Sequence, residues 1–248
     1  SALWAHPRTP AHAGGALLLR RLYRDADAVV AYGPHVSAFA RARGARNVHV
    51  APQAVDNAFW GAHVDPGARA GFTAVSVSRG AKEKGGRVLL DAWRASGLGE
   101  AGAALVLVGA GAEPPPNPAG AAVTSLGPQP PQQVRNFLAA GNVCVIPSLR
   151  TRSFREPWGL VANEAMNQST PIIASTEVGA AAGGLVRHER NGLVVAAGDP
   201  DALAGALRRL HDDPALRARL GSAARRDVAA YTFEAWAAGF AGALTSLP

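Results

Sequence analysis

Short apolar runs alternate with helix-like segments along most of the chain, and this alternation constrains the fold more than any other feature. Strands are predicted at residues 28–31, 47–51, 74–78, 104–108, 123–126, 143–146, 172–174 and 193–195. Helices are predicted at residues 16–24, 34–43, 87–94, 132–139, 201–211, 214–229 and 233–244, with one more that begins at Pro157. Strands that alternate with helices favour parallel sheets covered by crossover helices. We therefore expect an α/β fold with a Rossmann-like parallel sheet and flanking helices.

The best candidate for a domain boundary is the stretch of residues 52–70, which is rich in Gly, Pro and Asp. Linkers between domains commonly have this composition. With 248 residues, the chain has room for one or two domains with an ample core. Its single cysteine, Cys144, lies in an apolar run, and we interpret it as a buried strand residue in a protein of the reducing cytoplasm.

The chain is basic, with a formal net charge of +7 that comes almost wholly from arginine. A basic balance suits phosphorylated ligands, anionic membrane surfaces or nucleic acid. Aromatic residues do not interleave with the arginines, so stacking platforms for single strands are missing and we expect no nucleic-acid partner. No apolar run approaches the roughly 20 residues that span a bilayer. The histidines lack the spacing of a structural zinc site, and we expect no metal.

Two glutamates, Glu156 and Glu164, are separated by seven residues at the predicted start of a helix. Pro157 suits the first helical position, where its missing N–H group costs nothing. Gly159 and Leu160 would then have free N–H groups at the positive end of the helix dipole, which suits a phosphate. One carboxylate can face the reacting end of a ligand while the other reaches hydroxyls at its far end, as in a grip on a nucleotide sugar. Alternatively, Glu156 only balances the charge of the helix end.

The only two lysines of the chain, Lys82 and Lys84, follow the predicted strand at residues 74–78. Parallel α/β sheets bind ligands in the crevice at the carboxyl ends of their strands, so we expect this loop to lie there. Two fixed cations can stabilise the negative charge that develops on a departing diphosphate. The alternative interpretation is a solvated turn of lysine and glutamate.

Three motifs together carry a resemblance to a known family: EPWGLVANEAM at residues 156–166, PIIAS at residues 171–175 and RNGL at residues 190–193. They resemble the donor-binding domain of retaining glycosyltransferases with the GT-B fold, above all the glycogen-synthase-like and mannosyltransferase-like enzymes of family 4. The resemblance runs from roughly Asp27 to Phe240. It implies three parts: residues 1–52 end an acceptor-side domain that is mostly absent, residues 53–230 bind the donor, and residues 231–248 form a helix that returns toward the first domain.

The resemblance also implies roles for individual side chains. Arg79 and Lys84 match an Arg-x4-Lys pattern whose cations clasp the donor diphosphate. Glu156 matches a glutamate beside the transferred sugar, and Glu164 matches a glutamate that holds both ribose hydroxyls. We therefore expect Glu156, Arg79 and Lys84 to act in catalysis and Glu164 to bind the nucleotide.

Backbone groups are implied as further contacts to the base or the diphosphate. They belong to Gly109, Gly127, Ser148, Gly159 and Leu160. Many relatives also carry an acidic residue near the position of Gly183, and none is evident here. The base of the donor is therefore left open among UDP-, GDP- and ADP-sugars.

The function implied by the resemblance is a retaining, metal-independent glycosyltransferase that needs no cofactor beyond its nucleoside-diphosphate sugar. The acceptor is left open among a saccharide, a lipid-linked molecule and a small molecule. One alternative is a nucleotide-sugar epimerase or a phosphorylase of similar fold, and another is a nucleotide-sugar-binding module without turnover. We expect the acceptor domain to come from the same chain or a partner chain, and a cytoplasmic location that is compatible with peripheral contact to a membrane.

Overall fold

A computed structural model describes residues 10–65, 71–109, 122–152 and 154–247. Residues 1–9 of the first predicted domain and residues 66–70 of the predicted boundary lie outside these ranges. The described residues form an α/β fold with two parallel sheets, one of two strands and one of six. The predicted fold class is confirmed.

The elements follow one another in the order that the sequence predicts, with two additional short helices. The first half of the chain contains α1 (Pro10–Asp25), β1 (Val29–Ala31), α2 (Pro34–Arg41), β2 (Val48–Val50), α3 (Asn57–Trp60), β3 (Thr73–Val77), a single 3₁₀ turn (Lys82–Lys84), α4 (Gly86–Ser96), β4 (Ala104–Val108) and β5 (Val123–Leu126). The second half contains α5 (Pro131–Ala140), β6 (Val143–Ile146), α6 (Val161–Asn167), β7 (Ile172–Ser175), α7 (Gly179–Ala182), β8 (Gly192–Val195), α8 (Pro200–Asp212), α9 (Pro214–Val228) and α10 (Phe233–Thr245).

The larger sheet has the strand order β5-β4-β3-β6-β7-β8, and every pair in it is parallel. From β3 the chain builds outward through β4 to β5, and it then returns to place β6 on the other side of β3. The carboxyl ends of β3 and β6 therefore flank a topological switch point. In doubly wound sheets this is the place where ligands bind.

Helices cover both faces of this sheet with separate apolar layers. On one face, α4 and α8 contribute Leu89, Trp93 and Leu207 to the core. On the other face, α5, α6 and α9 contribute residues such as Leu138 and Met166. Because both faces are covered, every residue of β6 and β7 is buried, which explains why their sequences are almost entirely apolar.

The smaller sheet pairs β1 with β2, and α10 packs against it after crossing back from α9. Asn47 after α2 donates a hydrogen bond from Nδ2 to Oγ of Ser246, over 2.7 Å. Gly239 of α10 lies so close to the carbonyl group of Val50 that a Cβ atom there would overlap it. We call residues 10–50 together with α10 the first unit.

The helices α8 and α9 each begin with a capping aspartate. Asp199 and Asp213 accept hydrogen bonds from the backbone N–H groups of Ala202 and Leu216, over 2.9 and 2.8 Å, and each is followed by a proline. The predicted helix start at Pro157 is wrong, because α6 begins at Val161. The short helices α3 and α7 lie in stretches for which the sequence analysis predicted no helix.

Candidate active site

A cavity of about 760 Å³ opens at the switch point between β3 and β6. Segments that follow three neighbouring strands line it: Ser78 and Arg79 after β3, Gly109 after β4, and Ser148 after β6. The loop of residues 156–161 closes another side. Residues far apart in sequence therefore meet here because parallel strands place their carboxyl ends at one edge of the sheet.

The centre of this cavity holds a buried ion pair. The carboxylate of Glu156, a residue that is 7% exposed, accepts a hydrogen bond from Nζ of Lys84 and another, over 3.1 Å, from Oγ of Ser148. A carboxylate that is removed from water needs such partners, because an isolated buried charge is strongly destabilising. The pair joins the loop after β3 to the loop after β6.

A left-handed glycine allows these two loops to approach each other. Gly85, directly after Lys84, has φ of 72°, and a Cβ atom there would overlap the carbonyl group of Pro147. Leu149 also donates a backbone hydrogen bond to the carbonyl group of Glu83, over 2.7 Å. The position of the Lys84 ammonium is therefore fixed by backbone contacts to the end of β6.

Arg79 lies at the rim of the same cavity and is exposed. Its guanidinium has no ion-pair or hydrogen-bond partner among the described residues. Lys82, two residues before Lys84, does not line this cavity. The three cations of the predicted loop are thus divided: Arg79 and Lys84 face one cavity, and Lys82 faces another.

That second cavity, of about 960 Å³, lies beside the first and is lined largely by α4. Its charged residues include Asp91 and Arg94, which form an ion pair with each other over 3.1 Å. We consider the smaller cavity the better candidate, because buried charges and free amides converge there.

The segment of residues 156–159 is not helical. Backbone N–H groups of Gly179 and Ala180 donate to the carbonyl groups of Glu156 and Trp158, over 3.1 and 2.8 Å. Gly159 has φ of 87°, in the left-handed region that interrupts a helix. These two features explain why α6 cannot begin at Pro157, where sequence preference alone would start it.

The N–H groups of Gly159 and Leu160 have no hydrogen-bond acceptor among the described residues, and both residues line the cavity. The expected pair of donors is therefore at the candidate site, although the helix starts just after them. Gln53, whose carbonyl group accepts a hydrogen bond from Asn163 over 3.0 Å, also lines the cavity.

Glu164 occupies the first turn of α6, one turn beyond Leu160, and it is not among the residues that line the cavity. It is half-buried, and burial raises its pKa to about 7. Its carboxylate has no hydrogen-bond partner among the described residues. The charge of Glu164 also acts on Cys144, whose pKa is raised mainly by burial and secondarily by this carboxylate.

The three remaining predicted contacts are placed differently from one another. Gly109, with φ of 126°, donates its N–H group to the carbonyl groups of Leu126 and Gly127, over 3.1 and 3.3 Å, so this amide is already engaged. Gly127 is exposed and does not line the cavity, although the next two residues do. Ser148 is buried and directs its hydroxyl group to Glu156.

Sequence reasoning missed an aromatic part of the site. The ring of Phe154 lies 5.1 Å from Nζ of Lys84, a cation–π distance. Trp158 is 3% exposed and contacts Tyr32, His35 and Tyr231. Trp158 was visible as the residue after Pro157, but nothing in the sequence indicated partners so distant along the chain.

The described residues lack both a cluster of metal ligands and a membrane-spanning helix. They contain no group of three or more His, Cys, Asp or Glu residues that could hold a metal ion. None of their helices has both the length and the apolar character of a membrane span.

The chain is similar in sequence to known glycosyltransferases. The family model "Glycosyl transferases group 1" matches residues 71–213. The chain is 37% identical over 118 residues to a D-inositol 3-phosphate glycosyltransferase of Streptomyces avermitilis, a match that covers 46% of this chain and 23% of that protein. It is 43% identical over 86 residues to the lipopolysaccharide core biosynthesis glycosyltransferase LpsD of Rhizobium meliloti, covering 35% of this chain and 23% of LpsD.

Solved structures of low sequence identity share the fold. Sucrose-phosphate synthase from Thermosynechococcus elongatus superimposes with a TM-score of 0.72 at 26% identity, covering 95% of this chain and 61% of that one. HepE of Anabaena in complex with UDP and glucose superimposes with a TM-score of 0.73 at 21% identity. The match covers 96% of this chain and 69% of the HepE chain. The matched region is thus about a quarter of each curated relative and under three quarters of each solved chain.

Proposed function

This chain belongs to the glycosyl transferases group 1 family, and we propose that it binds a nucleoside-diphosphate sugar for transfer of the sugar to an acceptor. The observation that carries the proposal is one cavity in which Arg79 and Lys84, the free amides of Gly159 and Leu160, and the Glu156 carboxylate converge. A diphosphate needs cations and N–H donors, whereas a sugar offers hydroxyl groups that a carboxylate can bind.

The proposed chemistry places the diphosphate between Arg79, Lys84 and the two amides. In the reaction, the bond between the anomeric carbon and the diphosphate oxygen breaks, and an acceptor oxygen bonds to that carbon while its proton leaves. Negative charge then grows on the diphosphate. Removing a fixed donor of this kind from a transition state costs about 3 kcal/mol in well-studied enzymes.

We propose that Glu156 lies beside the transferred sugar, where the ion pair to Lys84 links the sugar end of the site to the diphosphate end. Glu164 is proposed to accept hydrogen bonds from both ribose hydroxyls, since its carboxylate is half-buried and unpartnered among the described residues. The finer assignment, a retaining and metal-independent enzyme of the family 4 type in the cytoplasm, stays part of this proposal.

The proposed domain organisation has residues 53–230 as the donor domain and the first unit as the edge of an acceptor domain. The smaller sheet has only two strands among the described residues. Large apolar side chains on α1 and α10 are exposed: Leu17, Leu18, Leu22, Phe233, Trp236, Phe240 and Leu244. We propose that an acceptor-side domain, in the same chain or a partner chain, covers these surfaces.

A binding module without turnover is the second candidate function. The chain matches 23% of the length of its curated relatives, and the described residues hold only two strands on the acceptor side. The two candidates share the donor site and differ in transfer by this polypeptide alone. Sugar transfer to a simple acceptor, measured as nucleoside diphosphate released, would exclude the second.

The test is a panel of UDP-, GDP- and ADP-sugars, measured first by thermal shift and then by calorimetry, because a ligand that binds the native state raises its apparent stability. HepE was solved with UDP and with UDP-glucose, so UDP-glucose is the first member of the panel.

Arg79→Ala should weaken binding of the diphosphate far more than that of the nucleoside. Lys82→Ala is the matched control, since Lys82 lines the neighbouring cavity. A folded protein that binds none of the panel, or that loses equal affinity in both variants, contradicts the proposal.

A further inference from the structure

We propose that His35 is a positioning residue for Glu156, acting through an aromatic clamp that holds the segment carrying this carboxylate. The clamp consists of the rings of Tyr32, His35, Trp158 and Tyr231. The inference rests on the proposed function, because it concerns the residue that we place beside the transferred sugar.

Trp158 is the centre of the clamp. Its indole stacks on the ring of His35, with centroids 6.2 Å apart and planes inclined by 23°. Tyr32 presents its edge to both rings, with centroids 5.7 Å from His35 and 6.3 Å from Trp158. Tyr231, just before α10, lies 5.9 Å from Trp158 on another side. The loop of the donor domain is thereby held by rings that belong to or adjoin the first unit.

Glycines provide the space into which the indole fits. A Cβ atom at Gly183 would lie 2.5 Å from the Trp158 ring and 3.0 Å from Nδ1 of His35. A Cβ atom at Gly33 would lie 3.1 Å from each of these rings. The absence of a side chain at Gly183, where the sequence resemblance implied an acidic residue, thus makes room for the stack. Nε1 of Trp158 is satisfied by Oδ1 of Asn163, over 2.8 Å.

His35 is half-buried against the segment that carries Glu156. Burial lowers the pKa of its ring, and its buried Nδ1 has no hydrogen-bond partner among the described residues. The ring lines a small cavity together with Glu156 and Pro157. His35 therefore lies beside the segment and holds it through the stack on Trp158.

This arrangement fixes the direction of the Glu156 side chain toward Lys84 and Ser148. The backbone of Glu156 is paired with Gly179, and the next two residues are held by the clamp, so the segment has little freedom to rotate. Precise placement matters because a displacement of about 1 Å can lower an enzymatic rate about 100-fold.

The first test needs no ligand. Lys82 and Lys84 are the only lysines, so ¹³C-lysine labelling of the full chain gives two sets of side-chain NMR signals. The Lys82→Arg variant retains only the signal of Lys84 and thereby assigns both. We expect His35→Ala to move the Lys84 signal in the same direction as Glu156→Gln, and to leave the Lys82 signal in place. His35→Phe, which keeps the stack, should move it less. His49→Ala is the control, since His49 lies in the same unit but contacts Asn47 and Ser246.

The proposal is overturned if the Lys84 signal stays in place in folded His35→Ala, or if His49→Ala moves it equally. Where His35→Ala does not fold, His35→Phe and His35→Gln decide instead: an unmoved Lys84 signal in both overturns the proposal.

The second test uses UDP and UDP-glucose in calorimetry. We expect His35→Ala to weaken UDP-glucose about two- to tenfold, the effect of one net hydrogen bond, while binding of UDP is unchanged. In a Glu156→Gln background the same substitution should cause no further loss. Equal weakening of UDP binding and UDP-glucose binding overturns the positioning role.

The two proposals can fail separately. If the wild-type chain binds neither of these ligands nor any other member of the panel, the proposed function fails. The lysine signals still decide whether His35 holds the segment.

Discussion

The side chains of Lys84 and Glu156, 72 residues apart in the sequence, form an ion pair at the switch point of the larger sheet. The pair is shielded from water, with side-chain exposures of 21% for Lys84 and 8% for Glu156. Such a pair stabilises little relative to apolar residues, but its loss leaves an uncompensated charge. Because the ion pair contributes little to stability, its presence in the cavity points to a role in the site.

Glu156→Gln should lower the free energy of unfolding by about 1–3 kcal/mol, because it leaves the Lys84 ammonium without its charged partner in a partly buried place. Binding of free UDP should be preserved or strengthened, because Lys84 is released for the diphosphate. Urea unfolding and calorimetry measure the two effects. Glu83→Gln is the control, because Glu83 lies next to Lys84 in the 3₁₀ turn and is not part of the ion pair. Weaker binding of free UDP in Glu156→Gln would contradict our assignment of the two carboxylates.

Glu164 should give the protein a stability that falls as pH rises. Its folded-state pKa is about 7, above the unfolded value of 4.5, since burial disfavours the charged form. The folded state therefore binds more protons between these values, so this group stabilises fully below about pH 4.5 and its contribution is lost as pH rises to 7. The difference is on the order of 3 kcal/mol.

The difference between wild type and Glu164→Gln in urea unfolding at pH 5 to 8 isolates this effect, because other groups cancel. Nucleotide binding should follow the opposite trend, since a ribose diol needs the ionised carboxylate as its acceptor. UDP affinity that rises through pH 7 in the wild type and is flat in Glu164→Gln would agree with this role. A flat profile in both proteins would contradict it.

Gly179→Ala should destabilise the protein by about 1–3 kcal/mol, because overpacking forces the backbone apart. A Cβ atom at Gly179 would overlap the carbonyl group of Pro157, so the segment that carries Glu156 must shift. Gly205→Ala in α8 is the matched control, since a Cβ atom there meets nothing within 4 Å. That change should stabilise the helix by about 0.5–1 kcal/mol. Urea unfolding of both variants provides the measurement, and equal effects would contradict the packing argument.

Cys144 should not react with a thiol reagent in the native state. It is completely buried in β6, and burial raises its pKa, so neither access nor the reactive thiolate is available. The rate of labelling should rise with urea in proportion to the unfolded fraction. Rapid labelling in buffer, with the far-UV spectrum of the folded protein, would show that β6 opens locally.

The fold was predictable because its signals are local. Apolar β-branched runs such as residues 143–146 identify buried strands, and an Asp-Pro pair marks the starts of α8 and α9. The start of α6 was not predictable from such signals. Pro157 favours a helix locally, but hydrogen bonds from Gly179 and Ala180 hold the segment in a non-helical form, and tertiary contacts outweigh local preference.

The site was predictable in its chemistry and less so in its geometry. The motif spacing predicted Arg79, Lys84 and Glu156 as site residues, and these three residues line one cavity. It could not indicate that the amide of Gly109 is engaged by β5, nor that Glu164 lies outside the cavity lining. The clamp residues were also invisible, because Tyr32 and His35 meet Trp158 across more than a hundred residues of sequence.

The return of α10 to the first unit means that the backbone crosses twice between this unit and a second one, the part of the chain that carries the larger sheet: once after β2 and once after α9. A hydrogen bond of 3.2 Å from Nδ2 of Asn57 to the carbonyl group of Tyr231 fastens the two crossings side by side. Any opening of one unit against the other has to bend both crossings together. The two connections therefore act as one joint, and a change in either one is passed to the other through Asn57.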